Sequence, residues 1–251
     1  MTVQPYDDAP IQAFTDDSIT DELVAAAALV VARPRIDEVI GALAEGKRFV
    51  EVDSDVPIHC RVLFHRDARR GTPWEGIRPE KIWEMLTRLC TNLTKVTERP
   101  HVAVIRREQM PTIPGGFEVP DIDAHEKAIA SMAYMVVSNG VVRQFHPASP
   151  RIWMDPDSTR IPWMSGKHRA DRTRGMFIDA GPGVEPLRVD PIVTDAPKPR
   201  LLEVADVYAY VTAQAHSQKG GARVRRFRDL YAIINPWAWK FDSSTAEREW
   251  H

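Results

Sequence analysis

Cysteine is scarce in this 251-residue chain: Cys60 and Cys90 are the only two, and they stand far apart. They match no paired-cysteine spacing that holds zinc. No charged-then-apolar leader opens the sequence, so a reducing cytoplasm is the expected setting. Long hydrophobic runs are missing as well. The longest, Leu23 to Ala32, has ten residues, half of the ~20 that cross a bilayer, so it reads as a buried strand or helix and not as an anchor. Charge of one sign is also lacking. Lys and Arg total 33 against 35 Asp and Glu, a formal net charge of -2, which excludes binding to nucleic acid by global positive charge and leaves only local contact. No Gly-rich phosphate loop, Gly-x-Ser-x-Gly elbow, internal repeat or low-complexity tract is found. What is present is ordinary globular material, 43% hydrophobic and 27% charged, enough for a single domain spanning 1–251 to bury a core.

Hydrophobic periodicity orders the chain. Ile11 to Thr15 is a short apolar run stopped by Asp16, Asp17 and Ser18, and Leu23 to Ala32 follows after a turn. The pair reads as a strand hairpin, although the alanines of the second run leave a helix open. Arg33-Pro34 ends it, and Ile36, Val39, Ile40 and Leu43 then recur at helical spacing as far as Gly46. Ile82, Met85, Leu86, Leu89 and Leu93 mark a longer helix, and His101 to Ile105 a strand. Beyond the proline-rich stretch 110–120, Asp123 can cap a helix running to about Ser138. Arg151 to Met154 is a short strand ending at Asp155-Pro156. Residues 156–200 read as an irregular insertion or lid, Leu201 to Ala215 as an apolar helix, and 236–251 as an aromatic tail after a basic segment. Strands first, then strands alternating with helices, predict an α/β domain: a mixed β-sheet flanked by helices.

Three acids are placed suggestively. Asp206 shares a helical face with Leu202, Ala209 and Ala213, so its carboxylate points toward the core. A lone buried carboxylate is unfavourable by several kcal/mol, which calls for a cation, a proton or a metal. An internal salt bridge, to Arg200 or another arginine, explains it as well as a functional site does. Asp16 and Asp155 each end an apolar strand, where aspartate is ordinary turn chemistry. Together, though, three carboxylates from two strands and a late helix are what a hard cation such as Mg²⁺ or Mn²⁺ takes.

At these residues the chain resembles the bacterial and phage domain of unknown function 3800, considered RNase H-like. That family opens with a strand ending Asp-Glu-Ser-Gly, similar to Phe14-Thr15-Asp16-Asp17-Ser18-Ile19. Its Glu-Ile-His-Ala-like element is similar to Pro57-Ile58-His59-Cys60, its late strand ending in Asp to Ile152-Trp153-Met154-Asp155, and its closing Leu-Gln-Leu-Ala-Asp helix to Leu202-Glu203-Val204-Ala205-Asp206. Asp17, Ile19 and Glu203 depart from the family's Glu, Gly and Gln. The resemblance spans most of the chain and implies an RNase H-like fold, with Asp16, Asp155 and Asp206 as metal ligands and candidate catalytic groups. Asp17 is expected as an auxiliary ligand, and His59 as a fourth contributor that orients water, contacts phosphate or shuttles a proton.

The activity expected is divalent-metal-dependent phosphodiester cleavage, with two ions about 4 Å apart sharing Asp16. The substrate would be RNA or DNA. His65, Arg66, Arg69 and Arg70 form one basic cluster, and Lys219, Arg223, Arg225, Arg226 and Arg228 a second. Each reads equally as phosphate-binding or as solvated surface. Trp237, Trp239, Phe241 and Trp250 could stack bases, but they fit better as a tail packed on its own domain or on a dimer mate. Two rival readings stand beside the nuclease: a non-catalytic RNase H-like interaction protein, and a haloacid dehalogenase-like phosphatase suggested by Asp155-Pro156-Asp157-Ser158-Thr159. The latter lacks its acidic pair after an apolar strand. Asp121, Asp123, His125 and Glu126 are explained more simply by a solvated helix start than by metal.

Overall fold

The computed structural model describes residues 8–107, 122–148, 150–154, 176–178, 187–189, 192–193 and 199–240. In chain order its elements are β1 (Ile11–Ile19), β2 (Leu23–Ala32), α1 (Ile36–Phe49), α2 (Cys60–Phe64), α3 (Arg66–Arg69), α4 (Pro79–Leu93), β3 (His101–Arg106), α5 (Ile122–Phe145) and β4 (Arg151–Met154). They are followed by β5 (Met176–Ile178), β6 (Leu187–Val189), β7 (Ile192–Val193), α6 (Leu202–Ala215), α7 (Ala222–Ile234) and β8 (Trp237–Lys240). Six strands form one mixed sheet in the order β7-β4-β1-β2-β3-β8, and β5 pairs with β6 separately. The strands β1, β2 and β3 make an antiparallel meander, while β4 joins β1, β7 joins β4 and β8 joins β3 in parallel. A mixed sheet flanked by helices is thus the architecture, as the element order predicts.

The hairpin is longer than its apolar run. Asp16, Asp17 and Ser18 do not end β1: they pair with Ala27, Ala26 and Ala25 of β2, and the strand continues to Ile19. The turn falls at Thr20, whose hydroxyl accepts the amides of Glu22 and Leu23 at 3.3 and 3.1 Å. The ladder offered by β2 satisfies the backbone of the acidic residues, so side-chain polarity does not stop the strand. The strand β2 itself shows no alternation because Leu23 to Val31 are all fully buried, as in a sheet covered on both faces. That double coverage settles the strand-or-helix ambiguity of its alanines. Ala26 and Ala28 lie in one cluster with Ala130 and Ala133 of α5, and Ala25 lies with Ala213 of α6, so small side chains let both helices approach.

The two faces are unequal. Beneath Ala13, Val24, Ala103, Ile105, Ile152 and Met154 lies α5 alone among the described residues. Above Phe14, Leu29, Val31, Val102 and Trp153 lie α6 and, around it, α1, α2, α4 and α7. Each fully buried aliphatic side chain of these layers contributes about 1.5–3 kcal/mol.

Several sequence expectations shift in detail. Gly46 does not end α1: a Cβ there would lie 3.6 Å from Leu89 of α4, so the glycine is a packing position inside the helix. Helix α5 begins at Ile122 and runs to Phe145, so Asp123 lies inside it, and Val141 and Val142 extend its buried face past Ser138. The basic segment after α6 is a helix, α7, which buries Val224, Phe227, Leu230 and Ile234. Within 156–200 the described residues include three short strands, and apart from these and Pro199 and Arg200 the proposed lid lies outside the described residues. The start of the aromatic tail is an edge strand, with Trp237 opposite His101. No helix among the described residues is long and apolar enough to cross a membrane.

Buried at the start of β3, His101 hydrogen-bonds the Gln144 side chain of α5. Burial pushes its imidazole below the ordinary value of 6.5, the Gln144 bond opposes this, and the Arg99 charge adds to it. The folded protein therefore binds this proton more weakly than the unfolded chain, and stability is full above pH 6.5 and falls as the pH drops toward the lower, folded value. Thermal midpoints measured from pH 7.5 to 5 should decline over that window, and the decline should flatten in His101→Gln. Parallel profiles for the two proteins would assign the proton elsewhere.

Candidate functional site

On α6, Glu203 and Asp206 stand three residues apart and project to one side of the helix. Both reach the same stretch of backbone. The Oε2 atom of Glu203 accepts the Ile58 amide at 2.8 Å, and Asp206 Oδ2 accepts the Cys60 amide at 2.8 Å. Cys60 is the first residue of α2, whose preceding residue His59 supplies no side-chain cap. Asp206 provides that acceptor from another helix, and a negative charge at a helix start is favourable.

The same Asp206 oxygen lies 3.0 Å from His59 Nδ1. The Asp206 side chain is 13% exposed and the imidazole 62%, so a nearly buried carboxylate holds a ring that reaches solvent. With its proton on Nδ1 the ring donates to Asp206, which orients Nε2 away from the carboxylate. Both partners of Asp206 are on Oδ2, and Oδ1 has none among the described residues. An arginine bridge to Asp206 is not formed there. Arg200 instead lies 3.7 Å from Asp55 and donates to the Ser54 carbonyl.

Beneath this pair lies an ion pair the sequence reading missed. The Nζ atom of Lys47 is 2.7 Å from Glu203 Oε2 and donates to the Ser54 carbonyl at 2.9 Å, with the lysine fully buried. Burial pulls the Lys47 ammonium down and the Glu203 carboxyl up, and in each case the partner's opposite charge works against the shift. The available signal was Lys47 itself, a lysine on the α1 side that packs against α4, four residues beyond Leu43. Its acid is remote in sequence and could not be paired by inspection.

Asp16 approaches from the sheet. On β1, Phe14 packs in the α6-side core and Ala13 in the α5-side core, so the two-residue period directs Asp16 to the α6 face. The thiol of Cys60 feels both carboxylates. Burial raises it well above its usual range, and the charge of Asp206, the neighbouring Cys90 and the charge of Asp16 push the same way. Asp16 and Asp206 are thus carried by β1 and α6, elements that pack against each other.

Asp17 does not join them. One residue on along the strand, it points to the opposite face and accepts the Tyr134 hydroxyl of α5 at 3.0 Å, which corrects its expected place as an auxiliary ligand. Asp155 lies outside the described residues. The last pair in the β1–β4 register is Thr15 with Met154, the residues just before Asp16 and Asp155 in sequence. No group of three His, Cys, Asp or Glu side chains among the described residues is arranged to hold a metal ion.

The basic clusters divide. Arg70 is exposed beside Asp67 at 4.0 Å, and Lys219 pairs with Asp21 at 3.3 Å. Arg228 donates to the carbonyls of Ala215 and Ser217 at the end of α6. Arg66 and Arg225 are exposed. Arg69, Arg223 and Arg226, from both clusters, meet in one groove. In the tail, the Trp237 ring is covered by the Arg99 guanidinium at 4.0 Å.

Removing Glu203 strands a buried ammonium, which destabilises by about 3–5 kcal/mol. Glu203→Ala should lower the urea midpoint accordingly, and Lys47→Met combined with Glu203→Met should recover most of the loss. A single variant as stable as wild type would show that the pair does not hold the segment in place. Comparison with family models finds no match for this chain, and comparison with curated proteins and with solved structures finds none either.

Proposed function

We propose that this protein is an RNase H-like, divalent-metal-dependent phosphodiesterase acting on nucleic acid, related to the domain of unknown function 3800. The observation that carries the reading is the hydrogen-bonded pair of Asp206 and His59, set on the helix α6 that packs against β1, the strand that carries Asp16 on its α6-facing side. The strand arrangement is compatible with it: the antiparallel meander β1–β3 is extended in parallel by β4 and β7 beside β1 and by β8 beside β3. It also disfavours the dehalogenase-like phosphatase, which needs a Rossmann-like parallel half. Both cysteines are unpaired and buried, in keeping with a reducing cytoplasm.

The residues present suit a hard cation. Asp206 Oδ1 has no protein partner among the described residues, and Asp16 and Asp206 offer the oxygen donors that Mg²⁺ and Mn²⁺ prefer. Those two aspartates, with Asp155 as the third ligand, would hold the metal, which when bound supplies charge stabilisation and lowers the pKa of water. The chain's own part is positional. The ladder with β2 holds Asp16 in place, and Asp206 fixes His59 in the tautomer whose Nε2 can take or return a proton. A second reading keeps a specific observation in its favour: Asp206 already caps α2, so a non-catalytic binding protein would retain it for structure alone.

The test is cleavage of labelled single-stranded RNA and DNA with Mg²⁺ or Mn²⁺. Asp16→Asn and Asp206→Asn should reduce it to background while the fold survives, since the carboxamide oxygen introduced by Asp206→Asn can still accept the Cys60 amide. His59→Gln should lower the rate by about 10²–10⁴-fold, the usual contribution of proton transfer. Undiminished cleavage in both aspartate variants would sink the site, and no cleavage by wild type under any of these conditions would leave the binding protein.

A further inference from the structure

Beside the Asp206 region, α2 and α3 meet the starts of α4 and α7 around a groove of about 380 Å³. Arg69, Arg223 and Arg226 line it with Phe64, Trp83 and a single acid, Glu80. Three arginines against one carboxylate make it locally cationic on a chain whose net charge is -2. The arginines are held against aromatic faces. Arg223 lies 5.3 Å from the Phe64 ring centre and donates to the Tyr210 hydroxyl at 3.0 Å, and Arg226 lies 5.6 Å from the Trp83 ring. A guanidinium stacked this way keeps in-plane donors for a phosphate. Arg69 is anchored through Nη1 to the Ile77 carbonyl at 2.9 Å, but its Nε is buried without a hydrogen-bond partner. Buried donors of a charged group are ordinarily satisfied, so this one favours an anionic acceptor.

Two further features have the same sign. The groove is lined by Pro79 and Glu80, which start α4, and by Ala222 and Arg223, which start α7, and neither helix has a side-chain cap. Helix starts carry partial positive charge, although α4 begins with Pro79, which has no N–H, and its Lys81 and Ile82 amides bond the Arg78 carbonyl. The groove also adjoins the proposed site. Tyr210, which stacks on Phe64 at 5.4 Å with nearly parallel rings, lies one turn beyond Asp206 on α6, a rise of about 6 Å. Helix α2 joins His59 to Phe64 directly.

We propose that this groove is a subsite for single-stranded nucleic acid, seating one nucleotide with its phosphate on Arg223, Arg226 and Arg69 and its base against the part-exposed Trp83 and the guanidinium faces beside it. Aromatic and guanidinium faces accept any base, and the arginines follow the backbone, which is the chemistry of sequence-tolerant single-strand binding. The volume suits one nucleotide and no duplex. The proposal deepens the nuclease reading and rests on it for the strand's fate, but binding can be measured without cleavage.

The experiment is fluorescence anisotropy of labelled dT12 and U12 with the full chain in EDTA, against a blunt 12-base-pair duplex and with AMP as competitor. Wild type should bind the single strands better than the duplex. Arg226→Glu and Arg226→Ala should weaken binding about tenfold or more at low salt and reduce the salt slope by roughly 0.7–0.9 per lost phosphate contact. Arg143→Glu, the same charge reversal on α5 across the sheet, should leave binding unchanged, and circular dichroism should show all variants folded. Equal binding by wild type and both Arg226 variants, or no binding to either oligonucleotide, overturns the subsite. AMP binding without oligonucleotide binding also overturns it and assigns the groove to a free nucleotide. Arg226-dependent binding by a protein that cleaves nothing with metal keeps the groove and rejects the nuclease instead.

Discussion

The placement of the Pro57–Cys60 segment on α6 governs the upper half of this molecule. Two carboxylates on one helix face take two amides of the same extended stretch, Glu203 that of Ile58 and Asp206 that of Cys60. The fully buried Lys47 ties the first of them to the end of α1. From that clamp follow the start of α2, the position of His59 at the surface and the packing of Phe64 among Tyr210, Trp83 and Phe227. A buried lysine and glutamate are poor sources of net stability compared with an apolar pair of equal volume. What they add here is register, because only one alignment of the segment satisfies both acids.

In the proposed site, function and architecture would share atoms at this point. Asp206 caps a helix with the oxygen that also orients His59, so one carboxylate oxygen serves the fold and the other remains available for chemistry. Such double use explains why the residue is only 13% exposed and still lies beside a solvent-reaching imidazole. The strand β1 makes a parallel division between neighbours: Asp16 toward α6, Asp17 toward Tyr134 of α5. Adjacent acids in an extended chain cannot serve one metal, because successive side chains leave opposite faces.

Legibility varied with the range of the interaction. Helix α4 could be read from Ile82, Met85, Leu86, Leu89 and Leu93, and β3 from its run of Val and Ile, because each element buries a periodic stripe of its own. Helix α7 showed the same kind of signal in Val224, Phe227, Leu230 and Ile234, but the arginines between them obscured it. The end of β1 was misjudged at Thr15, since polar side chains look like a stop when the partner ladder is unseen. The Asp206 and His59 motifs were legible separately, 147 positions apart, and nothing local said that they touch.

By itself the sequence determined the element order, the strand-and-helix class, the absence of any long apolar span and the presence of acids at strand and helix positions where metal chemistry could reside. These are local or compositional properties, set by periodicity and side-chain type. Only the tertiary structure decided that Asp206 holds His59, that Lys47 lies beneath Glu203, that Asp17 turns away and that two basic clusters share a groove. Those outcomes depend on which faces of β1, α6 and α7 are covered, and coverage comes from packing partners dozens to hundreds of residues away.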